Sequence, residues 1–109
     1  MAAKTITFNG KEYPRDKVPS ELKFELRKPV TIAGLTIESL DMQEPTVEEC
    51  EKYVKAIGDS NAIGAMAKLI TMIAAKSNSD ISEPFIKALS IRDFNDINVY
   101  LDFFMSPGQ

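Results

Sequence analysis

The sequence predicts an α+β domain, a small antiparallel β-hairpin or sheet followed by a compact bundle of three to four helices. Three observations carry this. Between Leu22 and Met42 apolar residues alternate with polar ones, the period of a strand with one wet face. Within that stretch Ala33-Gly34 supplies a tight turn, because glycine tolerates the positive φ a short hairpin needs. After Thr46 the apolar spacing changes to three and four, which places it on one face of a helix.

The chain opens on Thr5-Ile6-Thr7-Phe8, then Asn9-Gly10, then Lys11-Glu12-Tyr13, a pattern for a hairpin with a type I′ turn. Pro14 and Pro19 bracket a polar loop. A lone two-stranded hairpin is marginal in water, so residues 1–21 read as an N-terminal extension that is mobile unless it docks. The main domain is expected over 22–105, with 106–109 a polar tail. Leu22, Phe24 and Leu26 alternate with Lys23, Glu25 and Arg27 to make a strand over 22–28. Pro29 suits a strand edge or start. Strands over 30–33 and 35–42 follow, antiparallel and joined by the Ala33-Gly34 turn. Leu40 and Met42 run one residue out of step with Leu35 and Ile37, which predicts a bulge or bend near Glu38-Ser39.

Thr46 is a good N-cap for a helix over 47–57, and Glu49 occupies the N3 position of a capping box. Glu48, Glu49 and Glu51 place negative charge at the positive end of the helix dipole. Val47, Cys50, Val54 and Ile57 fall on one stripe, and Gly58 is a natural stop. Cys50 on that stripe reads as a buried small hydrophobe.

Asp59-Ser60-Asn61 offers N-caps for a second helix over 62–76. This helix is apolar almost all round, interrupted by Gly64, Lys68 and Thr71, and it is too short to span a bilayer. Such a helix is central to the domain, or buries one side against a partner, or does both. Met66, Leu69, Ile70, Met72 and Ile73 are the candidate partner-binding residues, on an apolar patch expected to stay partly exposed. Ser82 is placed to cap a short helix over 83–89, with Pro84 in its first turn and Phe85, Ile86 and Leu89 inward. Ser90 caps the last helix over 91–105, with Asp93 at N3 and Phe94, Ile97, Leu101 and Phe104 inward.

The 109 residues are enough for one modest core, and 44% apolar with 27% charged is ordinary for a soluble globular protein. Residues 1–30 carry seven Lys/Arg against four Asp/Glu, a net of +3, and the remainder six against twelve, a net of −6. The basic part is either a nucleic-acid arm or a solvated edge of mixed sign. Glu12, Asp16, Glu21 and Glu25 interrupt it and favour the edge. One cysteine, no signal peptide and no long apolar run point to the cytoplasm, with neither nucleic acid nor membrane as partner.

Chemistry is scarce. There is no histidine, so the commonest general base and nitrogen ligand are missing. The five glycines are scattered and form no phosphate-binding loop. Glu48, Glu49 and Glu51 read as a dipole-satisfying first turn before they read as a metal cluster. No catalytic, cofactor-binding or metal-binding residue is therefore expected, and the chain is not expected to be an enzyme.

One order of motifs is distinctive: strand, Pro29-Val30-Thr31-Ile32-x-Gly34, strand, Leu40-x-Met42-x-Glu44-Pro45-Thr46, acidic helix. It resembles the tail assembly chaperones of Mu-like contractile-tailed phages, the protein E-like kind. Ala88-Leu89-Ser90-Ile91-x-Asp93-Phe94 is similar to that family's closing segment, and the resemblance covers about residues 22–105. This chain has Gln43-Glu44-Pro45 where the family usually reads Arg-Glu-Pro, so a role of that arginine, such as a salt bridge across the hairpin, is not carried over. The resemblance implies a chaperone that binds the long helical tape measure protein, or other tail proteins, in the host cytoplasm and is absent from the finished virion. Self-association is the other expected contact. The family often makes a longer product by frameshift, and Asp102-Phe103-Phe104 permits the codons GAT TTT TTT on which a ribosome can slip. The rival readings are a minor structural component of a phage tail or connector, and a small phage or bacterial protein-binding adaptor.

Overall fold

The computed structural model describes residues 5–8, 10–59 and 61–105. Its elements are β1 (Thr5–Phe8), β2 (Lys11–Pro14), β3 (Glu21–Ile32), β4 (Leu35–Gln43), α1 (Val47–Asp59), α2 (Ala62–Ala74), α3 (Glu83–Lys87) and α4 (Ile91–Met105). Two antiparallel two-stranded sheets, β1-β2 and β3-β4, accompany four helices, the α+β class that the sequence predicts. A single 3-10 turn over Arg15–Lys17 leads from β2 toward β3.

Phe8 pairs with Lys11 across the first turn, with Gly10 at a φ of 75°. The hairpin is docked. Phe8 is 1% exposed, stacks on Tyr13 at 4.6 Å, meets Tyr100 edge-on at 5.2 Å, and lies against the tilted ring of Phe24 at 5.9 Å. Offset and edge-on aromatic contacts of this kind add to the burial of the rings themselves. A buried aromatic at the end of β1 thus anchors strands that could not stand alone.

β3 is continuous through Pro29, where the sequence suggests a break. Glu25 pairs with Ser39 and the next pair is Val30 with Ile37. Leu26, Arg27, Lys28 and Pro29 therefore lie opposite Glu38 alone. The irregularity falls where the phase slip of β4 predicts it, but the extra residues belong to the facing strand. The slip itself lets Ile37, Leu40 and Met42 all reach the core despite their odd and even numbers. At the tip, Ala33 has a φ of 51° and Gly34 of 83°, so both turn residues are left-handed and one of them carries a Cβ.

The helix caps are local and follow the sequence. Thr46 and Glu49 bond reciprocally, Glu49 N–H to Thr46 Oγ1 at 3.1 Å and Thr46 N–H to Glu49 Oε1 at 2.9 Å. Asn61 Oδ1 accepts from Gly64 N–H at 2.7 Å, and Ser90 Oγ from Asp93 N–H at 3.2 Å. Ser82 holds the N-cap position of α3, yet its side chain makes no capping bond. Pro84 removes one of the N–H groups a serine could satisfy, and Phe85 N–H bonds the Ser82 carbonyl instead. α2 ends two residues before the expected Lys76, since Lys76 N–H turns back to Ile73 O at 3.2 Å.

α2 is the centre of the molecule, packed by α1, α3 and β4. Ala65, Leu69, Ile70, Ile73 and Ala74 are fully enclosed. α4 packs against β1 and β3, and its Ile97, Tyr100 and Leu101 are wholly buried.

A candidate partner-binding surface

α1 docks on α2 along only part of its apolar surface. Glu49 reaches Lys76 at 2.6 Å, tying the start of α1 to the turn that follows α2. Burial pushes the Glu49 carboxyl up, but the bonds from Lys76 and Thr46 outweigh it and hold the group below the ordinary carboxylate range. Tyr53 and Ala56 face α2, where they line a cleft with Ala65, Thr71 and Met72. The stripe of Val47, Cys50, Val54 and Ile57 points away from the domain. Val47 is 79% exposed, Val54 66% and Ile57 40%. At about 100° per residue, the apolar arc of α1 runs round half the helix, and one neighbouring helix covers only its edge.

The expectation that Cys50 is buried is corrected by this geometry. Cys50 is half-buried and opens onto a shallow hollow with Val47, Val54, Glu51 and Lys55. Burial and then the nearby Glu49 carboxylate raise its thiol pKa, which leaves it a poor nucleophile.

The five candidate residues on α2 separate. Met66, Leu69, Ile70 and Ile73 are core side chains, at most 2% exposed, where the sequence predicts a partly exposed patch. Met72 alone is half-buried, at the α1–α2 cleft rimmed by Lys52, Lys68 and Glu83. α1, α3 and β4 take up the surface of α2 that its near-uniform apolar sequence leaves undecided. The accessible apolar face is thus on the first helix, one element earlier than the sequence suggests. Its four residues are legible as a stripe, but their outward direction is not.

A second site is structural. The interruption of β3 frees the N–H groups of Arg27 and Lys28 from the ladder, and Asp93 at the start of α4 accepts both, at 3.0–3.1 and 3.3 Å. The Arg27 guanidinium bonds Asp93 at 3.3 Å and Asp96 at 2.7 Å. Asp96 first, and Asp93 with it, raise the Arg27 pKa. Among the described residues no group of three or more His, Cys, Asp or Glu could hold a metal ion, and no helix is long and apolar enough to cross a membrane.

The sequence profile of phage tail assembly chaperone proteins, E, or 41 or 14, matches residues 23–106. That is the chain from β3 to the end of α4. The chain belongs to this family of phage tail assembly chaperones. Among curated proteins and solved structures, none matches it. In the chaperone, the matched region contains both the outward face of α1 and the Arg27–Asp93 junction. The β1-β2 hairpin lies outside the match, although its Phe8 completes the aromatic cluster against Tyr100. A tail assembly chaperone binds other tail proteins.

Proposed function

We propose that this chaperone binds the tape measure protein during tail morphogenesis, without catalysis, in the host cytoplasm, and is absent from the finished virion. The observation that supports this reading is the outward apolar stripe of α1, Val47, Cys50, Val54 and Ile57. A long helical client presents apolar stripes of the same period, so helix-on-helix packing along α1 buries both. The adjoining cleft at Met72 adds a polarizable side chain that adapts to varied partners. Co-expression with the tape measure protein tests the reading. The wild-type chain should co-purify with it, and Val47→Asp with Val54→Asp should lose it while the thermal midpoint stays within a few degrees. Retention of the client by that folded double variant would remove the α1 face from the proposal. Presence of the chain in purified virions at a fixed ratio would favour the structural-component reading instead.

A further inference from the structure

We propose that α1 is also a homodimer interface, in which the α1 helices of two copies of this chain lie antiparallel across a two-fold axis. The stripe residues are spaced three, four and three apart, so the stripe reads the same from either end. Reversed against a second copy, Val47 meets Ile57 of that copy and Cys50 meets its Val54, so all four positions are filled at once. An isologous contact needs this self-complementarity.

Charge at the rim favours the same arrangement. Glu51 and Lys55 border the hollow beside Val47, Cys50 and Val54. Both are exposed, and among the described residues neither forms an ion pair, although they stand four apart on one helix. In the antiparallel register each Glu51 lies within about two residues of Lys55 of the other copy, roughly 3 Å along the axis. Two acids and two bases then form a neutral cluster. A parallel pair would put Glu51 and Lys55 of the two copies on opposite sides of the seam, where they could not join. The helix dipoles also oppose one another only in the antiparallel pair.

The face is small. α1 is 13 residues, about 20 Å long, and one stripe of it buries well under the roughly 800 Å² per partner of a standard stable interface. The dimer is therefore weak and concentration-dependent. Such a dimer shields the apolar face of the free protein and yields it to a client. That competition rests on the tape measure reading, but the dimer itself does not.

Sedimentation of the purified full chain from about 1 µM to 1 mM, with no other protein present, tests it. Reversible dimerisation is expected, weakened about tenfold or more by Val54→Asp. Glu51→Lys should weaken it severalfold at low salt, and Glu51→Lys combined with Lys55→Glu should restore it. Oxidised Val54→Cys should give an interchain disulfide between Cys50 and the thiol introduced at position 54. A chain monomeric at every concentration would overturn the proposal and leave the face to the client alone. A Cys50–Cys50 product as the main cross-link, or dimerisation indifferent to Val54→Asp, would overturn it as well.

Discussion

The carboxylate of Asp93 closes the gap in β3 at Arg27, accepting the Arg27 backbone N–H with both oxygens at 3.1 and 3.0 Å. The two residues are 66 positions apart, and the contact joins the hairpin to the first turn of α4. Lys28 N–H is satisfied by the same carboxylate, and Pro29 has no N–H to satisfy. One buried acid therefore accepts two backbone donors of the interrupted stretch.

Asp93→Ala is expected to cost about 2–3 kcal/mol, because it strands two backbone donors and removes a partner of Arg27. For a domain of this size the thermal midpoint should fall by about 10–20 °C. Asp96→Ala removes only a more exposed contact to a guanidinium that is 45% exposed, and should cost far less than Asp93→Ala. Equal losses for the two, read by circular dichroism, would show that the backbone bonds contribute nothing.

Ala33 is a stabilisation target. Its φ of 51° disfavours a residue with a Cβ, and asparagine tolerates that region through its short polar side chain. Ala33→Asn should stabilise by about 0.5–1 kcal/mol in urea unfolding. The reverse change at the neighbouring position, Gly34→Ala at a φ of 83°, should destabilise by about 1 kcal/mol. A midpoint lowered by Ala33→Asn would argue against the left-handed turn.

Tyr100 Oη donates to Pro19 O at 2.7 Å, and the ring is wholly buried. Burial first, and then the Glu44 and Glu21 carboxylates, push its pKa up to about 12 from 10.0. A folded-state pKa above the unfolded one gives stability that is complete below pH 10 and declines as the pH rises toward 12. Tyr100→Phe should cost about 1–2 kcal/mol near neutrality by leaving the carbonyl unpaired. It should also lose less stability than wild type between pH 9 and 11.5, a difference that urea titrations at several pH values would read.

Glu49 shows the opposite dependence. Its pKa is lowered in the folded state, so its contribution is present above the ordinary value of 4.5 and is lost as the pH falls through the folded value. Glu49→Gln should be less stable than wild type at pH 7 and closer to it at pH 3. Thr46→Ala removes the other half of the capping box and should cost about 1 kcal/mol. Parallel stability curves for Glu49→Gln and wild type from pH 3 to 7 would contradict the assigned ion pair with Lys76.

The α1 and α2 stripes should respond in opposite ways. Leu69→Ala opens a cavity in the core and should cost about 2–5 kcal/mol. Val54→Ala, on a 66% exposed side chain, should change stability by less than about 0.5 kcal/mol. Chemical denaturation of the two variants decides this, and a large loss at Val54 would mean that α1 packs differently.

What the sequence by itself determined was local. The Thr46–Glu49 box, the Asn61 and Ser90 caps, the left-handed Gly34 and the starts of all four helices depend on contacts within about four residues. Residue type and spacing are enough to specify these. The phase slip in β4 also located the irregularity, because a change of alternation must be met somewhere across the ladder. Tertiary structure decided which apolar surfaces are covered. α2 and α1 both carry apolar arcs wider than one neighbour can hide, and periodicity states their width but not what lies against them. Met66, Leu69, Ile70 and Ile73 end in the core that α1, α3 and β4 build round α2, while among the described residues nothing closes over Val47 and Val54. The same holds for Asp93 with Arg27 and for Phe8 with Tyr100. These partners are distant in sequence, and only the packing of the hairpins on α4 brings them within reach.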